Sequence, residues 1–268
     1  MEKLSAFITT YNNARTLAAC LESVKWADEC VVLDSYSSDD TPAIAARYHC
    51  RFHQHEFMGY GPQKQMALEK TTYRWVLLLD ADEALSPELQ QEIQALMQAG
   101  PQADGYELAR QEQMFWRMAN PRARMNYYLR LFDKSKGRIC DMPVHAAPKV
   151  EGRTERLKGA FYHYGEVSVD EKVAKINAYS TGLVADKVAK EKRPGPWIMV
   201  VYPPVYFVRT YVFKRNYLNG WPGFMASVVS AFYVFLKYAK LYEHQQRQAH
   251  GDSLLPKGAP SSFLSKDA

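Results

Sequence analysis

Trp75-Val76-Leu77-Leu78-Leu79-Asp80-Ala81-Asp82-Glu83 is the stretch that decides the fold. Its apolar run reads as the strongest buried strand in the chain, of the kind covered by helices on both faces of a parallel sheet. It stops at Asp80. Upstream, Leu4–Thr10 is a second candidate strand, followed by Asn12 or Asn13 as the cap of a helix carrying Leu17, Leu21 and Val24 at helical spacing. Val31-Val32-Leu33 is a short apolar run that ends at Asp34. Thr41-Pro42 opens a second helix through Ile44 and Tyr48, with Pro in the first turn. A polar strand at residues 51–55 and a third helix through Thr71 follow. On the far side, Ser86-Pro87 caps a fourth helix with Ile93, Leu96 and Met97 on one face. Strands alternating with helices predict right-handed crossovers and an α/β fold with a mainly parallel sheet.

Beyond residue 104 the pattern changes. Gly105–Arg110 and Tyr128–Asp133 read as strands separated by an irregular stretch rich in Arg and aromatics. Residues 171–192 read as an amphipathic helix with Val173, Ile176, Leu183, Val184 and Val188 on one face. Fourteen of the 35 aromatic residues fall between positions 194 and 242. The expected organisation is a domain over 1–165, a helical, membrane-associated region over 166–250 and a flexible tail over 251–268. Trp197–Phe213 holds Pro203, Pro204 and Arg209, and Phe224–Leu236 gives way to Lys237. A spanning helix needs roughly 20 apolar residues, so neither segment is expected to cross a bilayer. Aromatics with basic flanks instead suit a helix lying in a membrane interface.

Composition narrows the classes. The chain has 268 residues, 47% of them hydrophobic and 24% charged, which excludes a largely disordered protein. A net charge of +5 without a recognition motif argues against a dedicated nucleic-acid binder. Cys20, Cys30, Cys50 and Cys140 show no C-x-x-C spacing and read as reduced thiols. The start of the chain shows no secretory signal pattern, which predicts a cytoplasmic location. The first strand is not followed by G-x-G-x-x-G, so a dinucleotide-dependent oxidoreductase is rejected.

Two buried strands that end in Asp place Asp34 and Asp80 on the ligand-binding edge of an open sheet. Three acids within Asp80-Ala81-Asp82-Glu83 repel one another unless a cation sits among them. Hard oxygen ligands suit Mg²⁺ or Mn²⁺, so Asp80 and Asp82 are the metal candidates. His49, His53 and His55 have no acidic or Cys partner nearby in sequence and read as structural.

Four segments in order carry a resemblance: Ile8-Thr9-Thr10-Tyr11-Asn12, Asp34-Ser35-Tyr36-Ser37-Ser38-Asp39-Asp40-Thr41, Gln63-Lys64-Gln65, and Trp75 to Glu83. Together they resemble the family 2 inverting glycosyltransferases, with most similarity to bacterial lipopolysaccharide core β-1,4-glucosyltransferases. The resemblance implies a GT-A-like nucleotide-sugar-binding domain and a UDP-glucose donor. It implies donor contacts at Thr10, Tyr11, Asn12, Asp34, Lys64, Gln65 and Asp80, with Lys64 facing the diphosphate. Arg130 is a candidate phosphate contact. Relatives often carry an acid after the His of a Val-His pair; here the residues are Val144-His145-Ala146. Asp141 and His145 are therefore the candidates for the base, with Glu83 and Glu166 behind them.

The expected function is metal-dependent hexose transfer, at the inner face of the cytoplasmic membrane, onto the lipopolysaccharide inner core or a related lipid-linked oligosaccharide. Residues 194–242 are the expected membrane contact. Acceptors such as polyprenyl phosphate, capsule or O-chain keep the same donor site, and a non-catalytic sugar-nucleotide-binding or membrane-binding module is the contrasting class.

Overall fold

The computed structural model describes residues 2–140, 146–165, 167–189 and 195–250. The chain divides into two compact units, Met1–Ser168 and Val169–Ala268.

The first unit opens with β1 (Leu4–Thr10), α1 (Leu17–Val24), β2 (Glu29–Asp34), α2 (Thr41–Ala45), β3 (Arg51–Gln54), α3 (Tyr60–Glu69) and β4 (Trp75–Asp80). It continues with β5 (Glu83–Leu85), α4 (Pro87–Ala99), β6 (Gly105–Met114), β7 (Arg117–Met118) and β8 (Asn126–Asp133). A small hairpin of β9 (Gly137–Ile139) and β10 (Pro148–Val150) precedes β11 (Thr154–His163). The main sheet runs β3-β2-β1-β4-β8-β6-β11-β5, with β7 paired to β6. The four strands from β3 to β4 are parallel, as the alternation predicts. β8 then enters antiparallel between β4 and β6, β11 is parallel to β6, and β5 is antiparallel to β11. The sheet is thus mixed and mostly parallel. Two reversals restore direction, so β6 and β11 run the same way as β4.

The apolar runs lack alternation because both sheet faces are covered. Ala6, Ile8, Leu77 and Leu79 join α1 and α4 in one buried cluster, while Phe7, Val76 and Leu78 join Ala67 and Leu68 of α3 in the other. Ser86 caps α4, its hydroxyl accepting from the Leu89 N–H at 3.2 Å. α1, by contrast, begins at Leu17 rather than at Asn12 or Asn13. The backbone of Asn12 has φ +50°, and the Asn13 carbonyl accepts the N–H groups of Thr16 and Leu17. These asparagines therefore shape a loop at the end of β1. α2 stops at Ala45, short of Tyr48.

The opposite edge is tied by Glu29. Its carboxylate accepts from Ser5 Oγ at 2.5 Å, Arg51 Nη1 at 2.5 Å, and the Thr72 N–H and Oγ1 at 2.7 Å each. Burial would raise its pKa, but the bonds from Ser5, Thr72 and Arg51 hold it down to about 2.

In the second unit α5 (Val169–Ala189) precedes α6 (Ile198–Val208), which runs into a wide turn at Arg209–Phe213, and α7 (Gly220–His250). Lys240 Nζ donates to the Asn177 carbonyl at 2.8 Å, Asn177 Oδ1 at 2.7 Å and Ser180 Oγ at 2.8 Å, which fastens α7 to α5. Ring pairs Tyr202–Tyr238 and Phe207–Phe224 join α6 to α7, with centroids 5.9 and 5.8 Å apart. The second apolar segment lies inside a longer helix, whose Asn216–Ala249 stretch is long and apolar enough to cross a membrane by length and composition alone.

Two predictions follow from these contacts. A Cβ at Gly159 would lie 2.7 Å from the Leu89 Cα in α4, whereas one at Gly182 in α5 meets nothing within 4 Å. Gly159→Ala should lower unfolding free energy by about 1–3 kcal/mol in urea titration, and Gly182→Ala should leave it unchanged or raise it. Because the folded Glu29 pKa is depressed, its stabilisation is present above its unfolded value and is lost as pH falls toward about 2. Glu29→Gln should flatten the acid limb of the stability curve between pH ~4.5 and ~2 while leaving its shape above pH ~6 unchanged.

Candidate active site

The registers bring the functional strand ends to one edge. Thr10 lies opposite Asp34, Thr9 opposite Asp80, and His163 opposite both Glu112 and Glu83.

At the centre of the edge sits a chain of ion pairs. Lys64 Nζ is 2.6 Å from Asp80 Oδ1, Arg130 Nη2 is 3.3 Å from Asp80 Oδ2, and the same Nη2 is 2.5 Å from Glu83 Oε1. The Asp80 N–H donates to Glu83 Oε2 at 3.0 Å. Burial alone would raise the Asp80 carboxyl, but Lys64 and Arg130 hold it well below the usual carboxylate range. Burial pushes Glu83 the other way, upward, with Arg130 opposing. Glu83 is 1% exposed under Arg130, so it is closed to an acceptor hydroxyl and does not serve as the base. Arg130 is equally buried, and its guanidinium holds these two carboxylates instead of facing a phosphate in solvent. Both Asp80 oxygens are paired with cations, whereas Asp82 keeps a partly exposed carboxylate.

Asp82 is partly exposed, and its Oδ2 lies 3.3 Å from His163 Nε2. His163 Nδ1 lies 2.6 Å from Glu112 Oε2, and Glu112 is held in turn by Arg110 at 2.7 Å. The Tyr164 N–H donates to the Asp82 carbonyl at 2.8 Å, fixing the loop to the end of β11. Burial would lower the His163 pKa, but Asp82 and Glu112 bring it up to about 10. His163, held by Glu112 on one nitrogen, faces Asp82 with the other and so can orient that carboxylate from behind. The Asp82 carboxylate, completed by diphosphate oxygens and water, fits Mg²⁺ or Mn²⁺. Among the described residues no three His, Cys, Asp or Glu side chains form a complete cage, so the donor's phosphates would supply the remaining ligands.

At the β2 end, Asp34 is fully buried. It accepts from the Ser37 N–H at 2.9 Å, Ser37 Oγ at 2.5 Å and Gln54 Nε2 at 3.0 Å. Ser37 Oγ in turn accepts from the Asn12 N–H at 2.8 Å, and Asn12 Oδ1 accepts from the Ser38 N–H at 2.9 Å. Asp34 thus shapes the loop that a nucleoside would meet, and the exposed rings there are Tyr11 and Tyr36. Thr10 is buried behind them. Gln65 is not brought into this group: its amide donates to Glu69 at 2.9 Å and accepts from the Ile139 N–H at 3.1 Å, bracing β9. Its neighbour Gln63 faces inward instead, donating to Ser35 Oγ at 3.1 Å. Asp141, His145 and Glu166 lie outside the described residues.

Sequence reasoning missed His163 and Glu112. The signal was the rule that selected Asp34 and Asp80, a functional residue at a strand end. It failed because β11, with its polar side chains and Gly159, does not read as a buried strand.

An open α/β sheet with strand-end carboxylates, a Lys and an Arg along one edge places a ligand site at the carboxyl ends of its strands. Residues 5–148 match the family described as Glycosyl transferase family 2. The chain is 33% identical to the lipopolysaccharide core biosynthesis glycosyltransferase LpsC of Rhizobium meliloti, over 92% of this chain and 94% of that protein. It is 34% identical to an uncharacterised glycosyltransferase of Rickettsia felis, over 91% of this chain and 90% of that one. Among solved structures, S. aureus TarS 1–349 in complex with UDP aligns with a TM-score of 0.47 at 15% identity, covering 91% of this chain and 92% of that one. The protein belongs to glycosyl transferase family 2 and is a glycosyltransferase with a GT-A-like fold.

Arg130→Met would leave Glu83 buried without its partner and remove one of the two cations on Asp80. It should lower unfolding free energy by about 3–5 kcal/mol in urea titration, as expected for breaking a buried pair. A loss below about 1 kcal/mol would show that the ion-pair chain does not hold the site together.

Proposed function

We propose that the protein moves glucose from UDP-glucose, with inversion at the anomeric carbon, onto the lipopolysaccharide inner core or a related lipid-linked glycan. The observation that carries this reading is the single sheet edge on which the Asp34 loop, the Asp80 ion pairs and the Asp82–His163 pair stand side by side. The similarity to LpsC over nearly the whole chain supports the acceptor class.

In this reading the loop ends of β1 and β2, with Tyr11, Asn12 and Tyr36, receive the nucleoside. Lys64 and Arg130 keep Asp80 ionised and in place, and Lys64 adds positive charge beside the diphosphate. Asp82, held from behind by His163, would hold the divalent ion. When bound, that ion offsets the charge that grows on the leaving diphosphate, which favours the transition state over the ground state. The acceptor hydroxyl attacks the anomeric carbon as the bond to the diphosphate oxygen breaks, and its proton passes to a base. Asp141 and His145 are the candidates for that base, and separate Asp141→Asn and His145→Ala variants assign it.

The second unit suits a peripheral position on the inner face of the cytoplasmic membrane. Trp197, Phe213 and Trp221 are 76%, 71% and 74% exposed, and an apolar groove between α6 and α7 is lined by Met199, Phe207, Phe232 and Phe235. Such a face with basic flanks favours an anionic lipid surface.

Thermal stability against a panel of nucleoside diphosphates and nucleotide sugars, with and without Mn²⁺, tests the donor site. Ligand at 100 times its Kd stabilises the native state by about 2.7 kcal/mol. The shift should be largest with UDP-glucose, should grow with Mn²⁺, and should lose the metal-dependent increment in Asp82→Asn. A shift that prefers another nucleotide, or no shift at all, would overturn the donor assignment.

A further inference from the structure

We propose that Trp116, Arg117, Arg122 and Arg124 form the acceptor subsite, and that the acceptor is a saccharide carrying phosphate. The proposal rests on the glycosyltransferase reading above and extends it to the chemistry of the second substrate. In it the indole of Trp116 stacks on a sugar ring and the guanidinium groups hold the phosphate.

The placement comes first. β6 delivers Glu112 to His163 beside Asp82, then turns through Phe115-Trp116 into β7. Trp116 is four positions beyond Glu112, so their Cα atoms are at most about 14 Å apart. That is within the span of a short oligosaccharide reaching from the reacting centre.

The turn is built to present its tip. Phe115 has φ +56° and is 2% exposed, while Trp116 beside it is 69% exposed. A bulky residue at positive φ is strained and persists only where its surroundings hold it. Here Gln113 Nε2 donates to the Phe115 carbonyl at 2.5 Å, the Ala119 N–H donates to the Glu112 carbonyl at 2.8 Å, and Gln111 Nε2 donates to the Ala119 carbonyl at 2.5 Å. An indole held out into water on a braced turn is an aromatic contact arranged in advance of its ligand.

Charge gives the ligand its sign. From Gln113 to Phe132 the sequence contains no Asp or Glu. Arg110, Arg130 and Arg156 are each paired with a carboxylate, whereas Arg117, Arg122 and Arg124 are exposed and have no ion pair among the described residues. Arg122 and Arg124 flank the buried Ala123, in a turn closed by the Ala123 N–H on the Asn120 carbonyl at 2.9 Å. Planar guanidinium groups match phosphate oxygens bidentately.

The test uses the full-length protein and calorimetric titration with a deacylated, phosphorylated lipopolysaccharide core oligosaccharide, before and after phosphatase treatment. Wild type should bind the phosphorylated form about tenfold or more tightly than the other, the scale of one charge-assisted contact. Arg122→Gln/Arg124→Gln should abolish that preference, and Trp116→Ala should weaken both forms by about tenfold. The UDP-induced thermal shift should stay as in wild type for both variants. Unchanged oligosaccharide binding by the variants would overturn the proposal. So would a loss seen only in retention on anionic vesicles, which would assign the arginines to lipid phosphate. Wild type that binds neither oligosaccharide but keeps its UDP shift would remove the acceptor and the subsite together. A phosphate preference without any UDP shift would uphold the subsite and overturn the donor reading instead.

Discussion

A carboxylate at the end of a central buried strand must be neutralised, and much of the architecture around this site serves that requirement. Asp80 and Glu83 are three residues apart and share Arg130, while Lys64 closes the other side of Asp80. The cations come from elements that are otherwise unrelated. Arg130 arrives on β8, the strand that breaks the parallel order, and Lys64 arrives on α3, which covers one sheet face. A purely parallel continuation beyond β4 would lack the strand that carries Arg130. The mixed topology is therefore tied to the electrostatics of the site, since neither carboxylate could remain charged there alone.

The same arrangement divides the labour between two acids that look alike in sequence. Asp80 is held from both sides and kept ionised. Asp82, two residues on, leaves that cluster and meets an imidazole from β11. Glu112 and Arg110 continue the alternation of charge, so Asp80, Glu83, Asp82 and Glu112 each face a basic group. Fixed, alternating charges in a partly dry cleft resist reorganisation, which is the condition under which electrostatic stabilisation of a leaving diphosphate is most effective.

The parallel half of the sheet was legible because its signals are local. Val31–Leu33 and Trp75–Leu79 are apolar runs ended by Asp, and Ser86-Pro87 is a cap read directly from residue types. Asp34 and Asp80 were found by the strand-end rule, but their partners were not. Gln54 and Arg130 reach them through tertiary contacts 20 and 50 residues away in sequence. Gln65 misled for a related reason. It neighbours Lys64 in sequence, but a helix turns by about 100° per residue, so adjacent side chains face different surroundings. His163 stayed hidden because β11 is a polar strand whose glycine fits against Leu89. The long α7 was underestimated because Lys237 ends the apolar run but not the helix.

The two ends of this edge differ in how firmly they hold their side chains. At β1 and β2 the backbone is tightly cross-bonded by Asp34, Ser37 and Asn12, so the groups available to a nucleoside are already fixed. At the β6–β7 turn the fixed element is the backbone of Phe115, while Arg117, and Arg122 and Arg124 in the connection that follows, are exposed. A ligand of fixed composition rewards a preformed cradle, because the groups that meet it are ordered before it binds. A growing glycan varies in length and phosphate position, and a rigid ring with adaptable cations tolerates that variation at the cost of ordering the side chains on binding. The division follows from the sheet: strands covered on both faces fix whatever their ends carry, and a projecting hairpin leaves its side chains free to adjust.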